Sequence, residues 1–393
     1  MAEPGCASAS PSPANRDAIV AHFGARYGAV PAVYWAPGRV NLIGDHVDYC
    51  GGPVLPMPIQ FGTTVAVRLT QNDRLRGASL NVPDVIDVAR ADPVALPVGS
   101  WGRFLCGAVA VLAELGVEVG GVDVMVGGAI PGSGLSSSAS LSVALLYALT
   151  HVDGTHIAPL QLALAAQHIE HEHVGVRCGL MDQAVIALAE PGCALRFDCF
   201  DHTHRSIPFD DASVALVVAD TGKTRQLVHS AYNERRRETQ RAARALHVDA
   251  QALARVAVGR LSDVDIEDDL IRRRARHVVS ESARVVQAAV ALESRDWAAL
   301  GALLCASHAS LRADYEVSCA ELDALAAALA AQRGCYGARM TGAGFGGSVV
   351  ALFDAAEVPS GMAGATAMYA AAFGRSPTWF EAHSLGGMRS LDG

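Results

Sequence analysis

Ser136, Ser137, Ser138 and Ser140 stand in the stretch Pro131-Gly132-Ser133-Gly134-Leu135-Ser136-Ser137-Ser138-Ala139-Ser140, which runs straight into the apolar helical pattern Leu141, Val143, Ala144, Leu145. A glycine-and-serine loop at a helix start aims unpaired backbone N–H groups and the positive end of the helix dipole at one point. Such a point favours an anion, most often a phosphate. A flexible linker has no use for four hydroxyls in the first helical turn.

A second dense segment is Pro37-Gly38-Arg39-Val40-Asn41-Leu42-Ile43-Gly44-Asp45-His46-Val47-Asp48-Tyr49. It joins one cation, two carboxylates, an imidazole and a phenol to interleaved apolar residues, so part of it is expected to be buried, and buried charge needs partners or a ligand. Asp45, His46 and Asp48 suit sugar hydroxyls, because carboxylates accept hydrogen bonds and imidazole can donate them. A charged surface turn is the plainer alternative.

Gly179-Leu180-Met181-Asp182-Gln183 sets one acid in a glycine-led turn. Asp182 suits a general base beside a positive group, although a lone Asp there is more often an N-cap. His168, Glu170, His171, Glu172 and His173 lack the H-E-x-x-H spacing of zinc enzymes. Glu170 still suits magnesium, which needs only one or two carboxylates beside nucleotide phosphates. Gly342-Ala343-Gly344-Phe345-Gly346-Gly347 matches G-x-G-x-x-G, but the strand-like run 348–353 follows it where a dinucleotide site requires a helix. A glycine turn that lets backbone approach a ligand remains. Neither G-x-x-x-x-G-K-[ST] nor the H-R-D and D-F-G signatures occur.

These residues must be carried by a sizeable framework. The chain has 393 residues, 51% of them hydrophobic, which suffices for two domains. Helical patterns are expected over 15–27, 101–115, 159–174, 225–246, 268–292, 297–312, 319–332 and 363–373, besides the one after the serine loop. Strand patterns are expected over 32–35, 64–69, 122–126, 193–197, 214–219, 338–341, 348–353 and 378–382. The mixture lacks regular βαβ alternation, so an α+β fold is expected rather than a doubly wound sheet. The domains are placed at 15–205 and 206–393, because 200–211 is polar and irregular, with the final segment able to return to the first domain. Residues 1–14 read as a disordered tail, without the basic start and apolar centre of a signal peptide. No apolar run is long enough to span a bilayer.

The net charge is −9, with no basic block and a single lysine, Lys223, which argues against a nucleic-acid surface. Nine cysteines without a C-x-x-C pair point to reduced thiols and a cytoplasmic protein. Oligomeric state is left open by the composition.

Together, the three glycine-bearing segments resemble those of the GHMP kinases, galactokinases in particular, from about Pro37 onward. Residues 37–57 are similar to the galactokinase signature, 131–140 to the family's phosphate loop and 339–348 to its third motif. Residues 178–183, Ser230-Ala231-Tyr232-Asn233-Glu234-Arg235-Arg236 and Asp314-Tyr315-Glu316-Val317-Ser318 are galactokinase-like as well. The resemblance implies a two-domain fold with the active site in the interdomain cleft. It implies ATP- and magnesium-dependent phosphorylation of the anomeric hydroxyl of galactose or a similar aldose. By the same resemblance Asp182 and Arg39 are the catalytic pair, while Asp45, His46, Asp48, Gly179 and Tyr232 contact the sugar. Trp101, Gly132, Gly134, Leu135, Ser136, Ser137, Ser138 and Ala139 hold the nucleotide, and Ser138 and Glu170 hold magnesium.

Three positions depart from the family pattern: Asp45 for Glu, Val47 for Thr and Cys50 for Asn. The acid at 45 is the one that reads the C6 end of galactose in the family, and Asp would withdraw roughly 1.5 Å from it. The departures admit a larger sugar, such as N-acetylgalactosamine or an octose phosphate of lincosamide biosynthesis, with Lys223, Arg225 or Arg177 as cations for a phosphate tail. A non-catalytic sugar sensor is the alternative of another class, disfavoured by the intact serine loop, Asp182 and Arg39.

Overall fold

The computed structural model describes residues 13–90, 96–131, 134–223, 228–263 and 266–392. Residues 1–12 of the expected tail, together with Gly132 and Arg225, lie outside the described residues.

Among the described residues, twelve strands form two sheets. They are β1 (Ala32–Ile43), β2 (Pro53–Thr70), β3 (Arg74–Ser79), β4 (Val85–Ala89), β5 (Gly121–Gly128), β6 (Cys193–Asp198), β7 (His204–Pro208), β8 (Val214–Asp220), β9 (Cys335–Met340), β10 (Ser348–Asp354), β11 (Thr378–Glu381) and β12 (Arg389–Ser390). The first sheet runs β12-β1-β2-β5-β3-β4, with β6 on β2 and β7 on β6; the second runs β11-β8-β10-β9. Every ladder is antiparallel except β3 against β5. The expected α+β character holds.

β1 and β2 extend far beyond the expected 32–35 and 64–69. Pro37 and Gly38 on one strand, and Pro53, Pro56 and Pro58 on the other, read as breakers in the sequence. The ladder absorbs them with register shifts between Pro37 and Arg39 and between Asn41 and Ile43. Proline lacks a donor but is tolerated at bulges and sheet edges. The consequence is functional: Arg39 projects from a paired strand rather than from a loop. The segment 200–211, expected to be irregular, contains β7, which pairs with β6.

Helix Ser137–Val152 packs on β1 and β2, and helix Met181–Leu188 packs on the same two strands. Their N-termini therefore open beside Arg39. The 159–174 pattern divides into an α-helix, Pro159–His168, and a π-helical turn, Ile169–Val174. Such turns often mark functional sites.

The long helix Asp269–Glu293 packs on β1, β2 and β7. It starts at Asp268, whose side chain accepts from the backbone N–H groups of Leu270 and Ile271. The expected 338–341 and 348–353 pair is the hairpin β9–β10. Its turn holds Gly342, Gly344, Phe345, Gly346 and Gly347 at positive φ, and a Cβ on Gly344 would fall 2.2 Å from the Val317 carbonyl oxygen. Only glycine meets both demands there. The two sheets meet where the end of β1 faces this turn: the Thr341 hydroxyl donates to the Asn41 carbonyl at 2.9 Å.

Candidate active site

Arg39 and Asp182 form a bidentate pair, with Nε to Oδ1 and Nη2 to Oδ2 both at 2.7 Å. Asp182 occupies the first turn of helix Met181–Leu188, but the capping residue is Leu180. The N-cap reading of this Asp is thereby overturned: its carboxylate is committed to a guanidinium. Nη1 of Arg39 donates to the Gly134 carbonyl at 2.8 Å. The Arg39 N–H donates to the Leu135 carbonyl at 3.1 Å. The Ser136 hydroxyl donates to Oδ2 of Asp182. The serine loop is thus tied directly to the charged pair.

Glu170 points inward from the π-helical turn and is 3% exposed. Burial, followed by the neighbouring Asp182, pushes its carboxyl up to about 7; bonds from Gln183 and Ser138 pull the other way. Gln183 donates to Glu170 Oε1 at 2.7 Å, while Gln183 Oε1 is buried and partnerless among the described residues. A buried carboxylate, an orphan amide oxygen and the Ser138 hydroxyl are hard oxygen donors of the kind magnesium takes. The residues fit a divalent cation.

A cavity of about 240 Å³ is lined by Arg39, Asp45, His46, Asp48, Gly134, Ser136, Ser137, Ser138, Glu170, Gly179, Asp182 and Tyr232, together with Cys178, Gln183, Gly342 and Ala343. The five expected sugar-contacting residues therefore share one chamber with the Arg39–Asp182 pair. A Cβ on Gly179 would stand 1.8 Å from Oδ2 of Asp48, so glycine is required for this approach. Asp48 is pushed up to about 7, first by burial and then by Asp182.

Asp45 and His46 line the chamber with their polar atoms already engaged. Asp45 Oδ2 pairs with Arg339, and Oδ1 accepts from Asn41 Nδ2 at 3.0 Å and the Gly342 N–H at 3.2 Å. Burial pushes His46 down to about 3, so it is neutral. Its Nε2 faces the Ala343 carbonyl at 3.1 Å and must carry the proton. Its Nδ1 therefore accepts from the Tyr49 hydroxyl at 2.9 Å, which in turn accepts from Tyr315 at 2.7 Å. The Tyr232 ring lies against His46, with centroids 5.6 Å apart.

A second cavity of about 390 Å³ shares Ser137 and Ser138 with the first and is lined by Trp101, Phe104, Asn81, Ile130 and Leu141. Trp101 precedes helix Gly102–Glu114 and donates from Nε1 to the Asp84 carbonyl at 3.1 Å. An apolar, aromatic-walled chamber on the far side of the serines suits a nucleobase. Leu135 and Ala139 are buried beneath the loop and anchor it. Of the cations considered for a phosphate tail, Lys223 pairs with Glu321 and Arg177 with Glu172. Neither lines the 240 Å³ chamber.

Sequence reasoning missed Arg339 as a site residue. It is fully buried on β9 and also donates to the Leu42 carbonyl at 2.7 Å. Its signal was an arginine between Ala338 and Met340 in a strand pattern. Gln183 was missed too, though it adjoins Asp182.

Residues 21–69 match the galactokinase galactose-binding signature, 103–190 the GHMP kinases N terminal domain and 288–367 the GHMP kinases C terminal domain. The chain is 39% identical over 372 residues to a galactokinase of Roseiflexus sp., covering 93% of this chain and 95% of that one. It is 37% identical over 365 residues to a galactokinase of Exiguobacterium sibiricum, covering 91% and 94%. Its structure is similar to that of Lactococcus lactis galactokinase complexed with galactose, with a TM-score of 0.93 at 33% identity, covering 96% of this chain and 100% of that one.

Proposed function

The chain belongs to the galactokinase family of GHMP kinases, and from that premise we propose that it transfers the γ-phosphoryl group of ATP to the anomeric C1 hydroxyl of galactose. The observation that carries this reading is the Arg39–Asp182 pair, set in a chamber that opens onto the serine loop.

Asp182 accepts or orients the proton of the attacking C1 hydroxyl. Arg39 fixes the plane of that carboxylate and sets a positive charge beside the transferring group. Backbone N–H groups at the start of helix Ser137–Val152 receive the phosphates, and the Trp101 chamber receives the adenine. Magnesium, held by Glu170 and Ser138 with the Gln183 amide oxygen beside them, would neutralise phosphate charge. Asp48, Gly179 and Tyr232 contact the sugar, with Asp45 and His46 forming the wall behind it. Phosphoryl transfer depends mainly on such positioning and charge stabilisation.

The eight described cysteines are all unpaired, which supports a cytoplasmic enzyme. No described helix is long and apolar enough to cross a membrane. The test is ATP consumption and product mass with purified protein, magnesium and D-galactose, with Asp182→Asn as control. Galactose 1-phosphate formed by the wild type and lost in the variant is expected. Absence of any galactose phosphate, in protein that binds ATP, would refute the reading and direct the search to N-acetylgalactosamine and C6-extended aldoses.

A further inference from the structure

Ser136 adopts φ 63° and ψ 47°, the left-handed region that glycine enters freely and serine does not. It sits at the capping position of helix Ser137–Val152 yet makes no capping hydrogen bond. Serine is favoured there because its oxygen satisfies an exposed helical N–H. This one instead donates its hydroxyl proton to Oδ2 of Asp182.

The carboxylate's acceptor capacity gives that bond its meaning. A carboxylate offers about four lone-pair sites, two on each oxygen. Arg39 takes one on Oδ1 and one on Oδ2, and Ser136 takes the second on Oδ2. A sugar hydroxyl approaching Oδ2 must therefore displace the serine. Ser136 lines the same chamber, so the two hydroxyls are rivals for one oxygen. The loop that carries this serine also holds Arg39 through the Gly134 and Leu135 carbonyls. Whatever engages the loop is felt at the catalytic carboxylate.

We propose that Ser136 is a positioning residue that couples nucleotide to sugar. A phosphate on the loop draws the Ser136 hydroxyl to itself, a donor meeting a stronger anion. Oδ2 of Asp182 is then released to accept the C1 hydroxyl, so the sugar binds more tightly to the nucleotide-loaded enzyme. By linkage the sugar tightens the nucleotide by the same factor. The inference rests on the galactokinase reading given above.

The test is calorimetric binding of galactose to wild type, Ser136→Gly and Ser136→Ala, each with and without a non-hydrolysable ATP analogue and magnesium. Glycine removes the hydroxyl and suits the left-handed backbone; alanine removes the hydroxyl and keeps the strain. In the wild type the analogue is expected to tighten galactose about tenfold, the worth of one hydrogen bond to a charged group. In both variants that ratio is expected to fall to near one, because galactose alone already binds tightly. A wild-type ratio of one, or a ratio retained in Ser136→Gly, overturns the proposal. Loss confined to Ser136→Ala also overturns it, since strain rather than the hydroxyl would be responsible. Wild-type turnover of galactose is measured alongside. Turnover with an unchanged ratio in Ser136→Gly defeats only the coupling; no turnover defeats the galactokinase reading beneath it.

Discussion

Two arginine–aspartate pairs border the same chamber, and they are built for opposite ends. Arg39–Asp182 stands on the serine-loop side, where the aspartate side chain is 26% exposed. Arg339–Asp45 stands at the junction of the two sheets, with side chains 0% and 2% exposed. There the Asp45 carbonyl also accepts from His277 Nε2 at 3.1 Å. The chemistry of the two pairs is the same. Burial separates them: the partly exposed carboxylate suits a reagent and the enclosed one a strut.

Asp182→Asn should separate them most sharply. It keeps the shape and removes the charge at the reagent, so kcat is expected to fall on the order of 10³-fold. The unfolding midpoint should stay close to that of the wild type. Activity within tenfold of wild type would deny Asp182 its part in the reaction.

Arg339→Met should do the reverse. It leaves the Asp45 carboxylate buried without its cation and is expected to cost about 3–5 kcal/mol of stability. Denaturant unfolding measures this, and a midpoint equal to the wild type's would remove the distinction between strut and reagent.

Gly179→Ala probes the boundary between the two sides, because the new Cβ meets Asp48 at 1.8 Å. Asp48 must move, and kcat/KM for the sugar is expected to fall roughly tenfold, a loss of ~1.4 kcal/mol. An unchanged kcat/KM would show that Asp48 is not needed where it stands.

The smallest expected effect concerns pH, and it too divides by region. Glu170 and Asp48 have carboxyls raised to about 7. Unfolded carboxyls lie near 4, so between about 7 and 4 the folded protein binds protons that the unfolded chain does not. Their contribution to stability therefore grows as pH falls. His46 and His277 are pushed down to about 3 and about 4, chiefly by burial. They stay neutral while the unfolded chain protonates, so their contribution is complete above about 6.5 and drains away below it. Glu170→Gln removes one of the rising contributions. In metal-free buffer its stability relative to wild type should drop by about 1 kcal/mol between pH 6.5 and 5.5. Parallel profiles for the two proteins would contradict the raised carboxyl.

Much of the reagent side was legible in the sequence, because its groups lie in short dense segments. Ser136 to Ser140 announce an anion site by composition, and Arg39 lies in a segment too mixed to be a plain turn. Asp182 is less self-evident: alone it reads as an N-cap, and its partner lies 143 residues away. The strut side was largely illegible. Arg339 and Asp45 are separated by 294 residues, and nothing local in either segment demands the other. Asp45 and His46 read as free polar groups because their saturation comes from Arg339, Gly342 and Ala343. Among the strands, β3 and β4 carry Arg74, Arg76 and Asp87, whose polarity hides a strand pattern. β1 runs on past Pro37 and Gly38 only because the ladder shifts register there, which no local pattern announces.

β12 adds a matter of timing. Arg389 and Ser390 pair with Trp35 and Tyr34, and Asp392 accepts from the Val33 N–H at 2.7 Å. During synthesis these partners leave the ribosome roughly 350 residues after β1, which at ~5–20 residues per second is on the order of half a minute. For that interval the strand that carries Arg39 has an unpaired edge, open to pairing with another nascent chain. A chain that stopped short of residue 389 would leave that edge bare for good.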